Sequence, residues 1–433
     1  ALTAVHIYYK DRWYPGSSID GLKVSGMTYE ESLDELKETA DRYSITVKGR
    51  EKGTLTIKGR DIGLKVKSLD SVKELYQKQH KQSVIFSFMK KEQKNLKDTI
   101  DFSEKKLSGL VKKSVLVTGD DGYKLTKPED AAIEYSKEKK YGVLKKEIEG
   151  NILDQKAFVR RLSEAIKELK TSMDLTDQKT YPGVYKEPGL RIDDSELTRM
   201  QETYNQYLLH WIQWDMGNDT KETMTPEVLK DCIRVNTKKR TVKLDKSAVE
   251  DWVEKFCLKY KTVGIARKFT THSGKKIKVE GGDYGWRIDY DKEIARVLKL
   301  LKKAPSKKLM ETYQKDPSDK NQKAMTVNLK PVYFNKAYRK DYQNPQNDWD
   351  HKNYSEVDLS AQEVFVYKNG KRVFSANCIT GKPTPDRITR TGTYYVKEKR
   401  LTKTLVGADY SEDTKYWVRI MWTGTGYHWS KRS

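Results

Sequence analysis

A cysteine or serine beside a histidine is the simplest way for a protein to make a nucleophile, because imidazole accepts a proton near neutral pH. This chain of 433 residues has three cysteines, Cys232, Cys257 and Cys378, and six histidines. The odd, sparse cysteine count is no disulfide framework, and without a C-x-x-C pair thiol-ligated zinc is not expected; no other metal or cofactor signature is present. Cys378 sits in the strand-like run Phe374-Ser375-Ala376-Asn377-Cys378-Ile379 and reads as a small buried hydrophobe. His210 follows a stripe of apolar helix positions and reads as solvent-facing or structural. His428 lies in the last stretch, Trp417 to Ser433, which is aromatic and apolar and loosened by Gly424 and Gly426. Taken alone, a single histidine in such a setting reads as structural.

The composition narrows the partners. The formal charge is 85 − 62 = +23, which suits nucleic acid, an anionic membrane face or an anionic wall polymer. The lysines are spread along the chain instead of forming one stripe, and no RNP, zinc-finger or helix-turn-helix pattern is present, so base reading is not expected. With 36% hydrophobic and 34% charged residues, but 27 Tyr and 9 Trp, the chain is polar yet able to fold. Its length implies two to four domains, since one core seldom grows past about 250–300 residues. No run of about 18 apolar residues spans a membrane. Ala1-Leu2-Thr3-Ala4-Val5 is compatible with a chain whose N-terminal anchor has been removed.

The elements expected to position these groups fall into α+β modules followed by an all-β region. Residues 1–18 read as extended. Thr28-x-x-Glu31 is a capping box opening a helix over about 28–42, and 44–48 with 54–58 alternate as a hairpin. A strand and a helix follow over 61–80, and 85–110 reads as helical. Val115-Leu116-Val117 repeats the strand-then-helix pattern, with the helix near 127–139, and further helices are expected over 155–170 and 193–214. Leu153-Asp154 and Leu244-Asp245 each precede an amphipathic helix, with the Asp as N-cap, an echo that suggests two copies of one module. Phe269 to Val279 reads as a hairpin turning at Ser273-Gly274. Gly281-Gly282-Asp283-Tyr284-Gly285 lacks the Lys-Ser/Thr of a phosphate loop, and a helix follows over about 291–302. Pro305, Pro317, Pro331 and Pro345 mark 303–352 as a connector. Beyond it, 363–367 and 371–376 flank Asn369-Gly370, a strong hairpin signal. A strand over 391–396, a looping stretch to about 414 and a closing strand from Tyr416 complete a sandwich or small barrel.

These runs resemble a known family. Glu356 to Lys371 resembles the opening hairpin of the YkuD-type L,D-transpeptidase domain. Ile379-Thr380-Gly381-Lys382 and Thr389-Arg390-Thr391-Gly392-Thr393-Tyr394 resemble its Thr-Gly turn and Thr-Pro-x-Gly strand, with Arg390 where proline is usual. Gly424-Thr425-Gly426-Tyr427-His428 resembles the Gly-x-Gly-aromatic-His that precedes the family's Ser-His-Gly-Cys, with Trp429 where a small or acidic residue is usual. Ile19–Lys48, Leu244–Val263 and Phe269–Leu301 resemble the peptidoglycan-binding modules often joined to that domain.

The resemblance implies a multidomain chain. It would comprise an N-terminal α+β module over 1–110, peptidoglycan-binding-like α+β modules over 111–303, a linker over 304–352 and an incomplete all-β, YkuD-like sandwich over 353–433. It implies an L,D-transpeptidase of cell-wall synthesis that needs no cofactor. A cysteine thiolate would take the acyl group of a donor stem peptide, and a neighbouring stem would resolve the acyl-enzyme into a 3→3 peptidoglycan crosslink. His428 is the position implied for the general base, and the nucleophilic cysteine would follow residue 433. The implied partners are peptidoglycan stem peptides and anionic wall polymers, with no nucleic acid, at an extracytoplasmic, membrane-anchored location. The competing expectation is a non-catalytic peptidoglycan-binding or scaffold protein.

Overall fold

The structure, a computed structural model, describes residues 2–67, 70–89, 94–96, 99–407 and 410–430. The end of the closing stretch, 431–433, lies outside them, as does part of the segment over 85–110. Residue contacts divide the chain into two units, Ala1–Ala132 with Leu144–Leu197, and Ile133–Val143 with Thr198–Ser433.

In the first unit the capping box forms as expected. The Thr28 hydroxyl accepts from the Glu31 amide, and the Glu31 carboxylate accepts from the Thr28 amide. The helix Tyr29–Arg42 then buries Leu33, Leu36 and Ala40. Ser44–Lys48 and Thr54–Lys58 pair antiparallel, with Ile45, Val47 and Ile57 in the core. Ser172–Asp174 joins the same sheet in parallel, a pairing across more than a hundred residues. The helix Gln155–Lys167 is capped by Asp154, whose carboxylate accepts from the Ala157 amide; it buries Phe158, Leu162 and Ile166.

Several local expectations fail in instructive ways. Leu2–Tyr8 is a short helix, not an extended segment. The span over 85–110 breaks into a helix Ile85–Met89, short strands at Lys94–Leu96 and Ile100–Asp101, and a helix Glu104–Lys113 capped by Ser103. Val115–Thr118 is one helical turn that buries Leu116 and ends at Gly119. Ala132–Ser136 is a strand paired with Tyr141–Lys145, where a helix near 127–139 was expected. Ile133 and Tyr135 pack inward while Glu134 faces out, a period of two that decides for strand.

The second unit is built on the hairpin Trp211–Gly217 and Thr220–Met224, joined in parallel by Thr326–Leu329. The helix expected over 193–214 stops at Leu208. Leu197, Met200, Tyr204 and Leu208 are buried as expected, but Trp211 opens the strand. The apolar spacing simply runs on through the helix end. Helices Lys246–Lys259 and Tyr290–Lys302 are capped by Asp245 and Asp289 and close a core of Trp214, Val249, Val253, Phe256, Val297 and Leu301. The 304–352 segment, expected to be a linker, is folded in the structure. Ser306 caps a helix Lys307–Lys315 that buries Tyr313, and Asp319–Met325 is a second helix. Asp348 is fully enclosed. Its prolines punctuate short elements instead of keeping the chain extended.

The C-terminal stretch is all-β, as expected. Tyr354–Asp358, Glu363–Lys368 and Lys371–Asn377 form an antiparallel meander. Asn369 and Gly370 both lie at positive φ, 53° and 77°, as a tight hairpin turn requires. Glu398–Val406, Ser411–Arg419 and Gly426–Tyr427 form a second antiparallel sheet. The strand expected over 391–396 lies instead at 398–406, inside the stretch read as looping. Thr393 spends its backbone bonds elsewhere: it donates to the Gly281 carbonyl and accepts from the Tyr284 amide.

Candidate active site

The site is built from a narrow hairpin. Val418 pairs with Tyr427 and Arg419 with Gly426, and the Thr425 carbonyl accepts from the amides of Ile420 and Met421, both at 3.0 Å. Both glycines of the Gly-x-Gly motif have a physical reason. Gly424 turns the chain at φ 102°, a region that side chains rarely adopt. At Gly426 a Cβ would meet the Val418 carbonyl oxygen at 2.5 Å. The turn delivers Tyr427 inward, its hydroxyl 2.8 Å from Ser355 Oγ on the meander; burial raises its pKa. The next residue, His428, is delivered outward, exposed.

The His428 ring is oriented from one side. Its Nδ1 lies 3.1 Å from the Trp429 carbonyl and 3.3 Å from Thr414 Oγ1. A carbonyl oxygen can only accept, so Nδ1 carries the proton, and the neutral form of the ring has its lone pair at Nε2. Thr414, buried at 5% exposure, donates its hydroxyl proton to the same carbonyl at 2.6 Å, which leaves its oxygen free to accept from Nδ1. The Trp429 amide in turn donates to Lys415 at 3.0 Å. These contacts use Trp429's backbone alone, so the unusual side chain after the histidine does not disturb them. Trp417 is buried beneath, its ring centroid 6.1 Å from that of His428. The arrangement can take a proton at Nε2 from a group placed on the open side.

The cysteines are not such groups. Cys232 and Cys257 are buried in the core of the second unit, and burial pushes their thiols up to about 11 and about 12. Cys378 is half-buried at the end of Lys371–Asn377, its amide donating to Gln362; burial, then the charge of Glu363, raises its thiol as well. All three keep their protons at neutral pH. His210 proves structural and buried, with Nδ1 3.0 Å from the Tyr207 carbonyl and Nε2 3.2 Å from that of Lys303; burial lowers its pKa.

Sequence reasoning missed the groups around the site. Thr414 is one. A second is His272, on the expected hairpin Arg267–Thr270 and Lys276–Val279. Its Nδ1 donates to Glu356 at 3.0 Å, and its ring stacks on Phe365 at 4.0 Å. A third is Lys397, whose side chain is fully enclosed and pairs with Asp283 at 2.8 Å. Separations of 84 and 114 residues leave no local signal for such pairs. Neither a cleft of about 700 Å³ lined by Glu104, Val111 and Val159 nor one of about 470 Å³ along 268–278 includes His428. Among the described residues no cluster of three His, Cys, Asp or Glu side chains could hold a metal ion, and no helix is long and apolar enough to cross a membrane.

Comparison with known proteins adds a family to this geometry. Residues 352–431 match the L,D-transpeptidase catalytic domain (YkuD), and residues 219–309 match the putative peptidoglycan binding domain PG_binding_4. Among solved structures the chain is similar to a cysteine-to-serine mutant of Enterococcus faecium L,D-transpeptidase, at 23% identity and TM-score 0.33. That alignment covers 54% of this chain and 82% of the other. It is similar to the Ldtfm–avibactam carbamoyl enzyme at the same identity and TM-score, covering 55% and 82%. No curated protein matches.

Proposed function

We propose that this chain, which carries an L,D-transpeptidase catalytic domain and a putative peptidoglycan binding domain, forms 3→3 peptidoglycan crosslinks through a cysteine acyl-enzyme. The observation that carries the reading is the exposed His428 ring, held at Nδ1 by a carbonyl and a buried hydroxyl. In the proposed cycle His428 takes the proton of a cysteine thiol that follows residue 433. The thiolate attacks the donor stem's carbonyl carbon, and the imidazolium returns the proton to the departing amine. The acceptor amine of a neighbouring stem then releases the acyl group and restores the thiol. Cys232, Cys257 and Cys378, buried or half-buried with raised thiols, support placing the nucleophile outside 1–433.

The same proposal covers the surroundings. The regions over 1–110 and 111–303 present the catalytic stretch to the wall, and the charge of +23 draws them to anionic wall polymers. The location is extracytoplasmic, at the cell wall, with an N-terminal membrane anchor. The test is a covalent mass shift on incubating the full-length protein with a carbapenem. The adduct is expected in the wild type and lost when the cysteine that follows residue 433 is changed to alanine. No adduct on the wild-type protein would leave the competing reading, a peptidoglycan-binding scaffold, in its place.

A further inference from the structure

The hairpin that presents His428 is gripped from two sides by the region that matches the peptidoglycan binding domain. On one side, the glycine run 281–285 lies against the segment 391–397. Gly281, Gly282 and Gly392 all lie at positive φ, and a Cβ on Gly282 would overlap the backbone of Thr393. The glycines are what let two backbones meet and exchange the Thr393–Gly281 and Tyr284–Thr393 bonds at 3.1 and 3.0 Å. That contact carries the Asp283 carboxylate to Lys397 Nζ at 2.8 Å. The enclosed ammonium group also donates to the Ile420 carbonyl at 2.7 Å, and the Lys397 amide donates to Arg419 at 2.9 Å. Ile420 and Arg419 begin the turn that ends in Gly426, Tyr427 and His428.

On the other side, the turn at 271–274 places His272 against the meander. Its amide donates to both Glu356 oxygens at 3.1 and 2.9 Å, its Nδ1 donates to the same carboxylate, and its ring covers Phe365. The neighbour of Glu356 is Ser355, which holds the Tyr427 hydroxyl, and Tyr427 precedes His428. Two contacts that leave the upstream region 114 and 84 residues before their partners thus converge on one short strand.

We infer that Asp283 and His272 are positioning residues for His428: they act through Lys397 and Glu356 to hold the hairpin 418–428, so that the peptidoglycan-binding region is a structural part of the catalytic site. The inference rests on the reading of His428 as the base, but its first test does not. An ammonium group enclosed beside a carboxylate is held tightly only while that charge is present. In the chain carrying Asp283→Asn, backbone amide exchange over 420–428 should speed up about tenfold or more, while exchange in the helix Lys246–Lys259 stays unchanged; Asp283→Glu should restore it. Unchanged exchange over 420–428 overturns the inference. Should Asp283→Asn loosen the whole unit, His272→Ala, at a half-buried contact, is read in the same way and decides. A second arm measures carbapenem acylation of the full-length protein, where a misplaced base should lower the rate about tenfold or more with the apparent KM little changed. A wild-type protein that is never acylated sinks the transpeptidase reading while the exchange result stands. A wild type that is acylated, with both variants reacting at its rate, sinks the positioning role.

Discussion

Two turns in the second unit each set a histidine against a β-sheet, and they do so in opposite ways. At 271–274 the ring of His272 is half-buried, bonded to a carboxylate and stacked on Phe365. At 420–428 the ring of His428 is exposed and held by a backbone carbonyl and a hydroxyl. A carboxylate facing an imidazole between two packed elements makes a tether, since the ring's free face is covered by an aromatic. A carbonyl fixes the tautomer without covering the ring, and leaves Nε2 for chemistry. The histidine with the stronger partners is the one tied between two elements, and the one held more lightly is the one left exposed.

The sharpest way to break this comparison is to remove both rings in turn. His428→Gln in the full-length protein should lower carbapenem acylation by about 10²–10⁴-fold, the range for loss of a general base, with unfolding by denaturant unaffected. Equal losses from His428→Gln and from His272→Gln would mean that the two turns do the same job. Next in size is the buried pair that anchors the neighbouring segment. Arg267 and Asp348, 2% and 0% exposed, meet at 2.9 Å with Thr262 as a further partner. Arg267→Met should destabilise the second unit by about 3–5 kcal/mol, because it strands a buried carboxylate; urea unfolding measures it, and a loss under 1 kcal/mol would show that the pair is not closed in solution.

Thr414→Val tests the hydroxyl beneath His428. One hydrogen bond is worth about 0.5–1.5 kcal/mol, so acylation should slow by up to about tenfold, and Thr414→Ser should recover it. Smaller still are the two echoed caps. Asp154→Ala should cost about 1 kcal/mol through loss of the bond to the Ala157 amide. At Asp245 the Ala248 amide and then Arg234 hold the carboxyl below its ordinary range. A depressed folded pKa means the contribution is present above that range and fades as pH falls through it. Asp245→Asn should therefore lower stability near neutrality and flatten the loss on the acid side below about pH 4, read by thermal unfolding across pH.

Local chemistry that acts within a few residues was legible in the chain. The capping box at Thr28, the caps at Asp154 and Asp245, the Asn369-Gly370 turn and the 269–279 hairpin formed as their residues dictate, since each closes its own bonds within about a dozen positions. Periodicity misled where a pattern crossed an element boundary, as at Trp211, or where burial overrode propensity, as at Ile133 and Tyr135. The connector over 304–352 misled because prolines that punctuate short helices look, in sequence, like prolines that keep a chain extended.

The sequence by itself determined that His428 follows a glycine-built turn, and that this turn belongs to an all-β region behind α+β modules. Only the tertiary structure decided what the histidine can do. The proton on Nδ1 is fixed by Thr414 and the Trp429 carbonyl, and the turn is held through Lys397 by Asp283 and through Ser355 and Glu356 by His272. Those contacts join residues up to 114 positions apart. Their energies depend on burial, which no local pattern encodes.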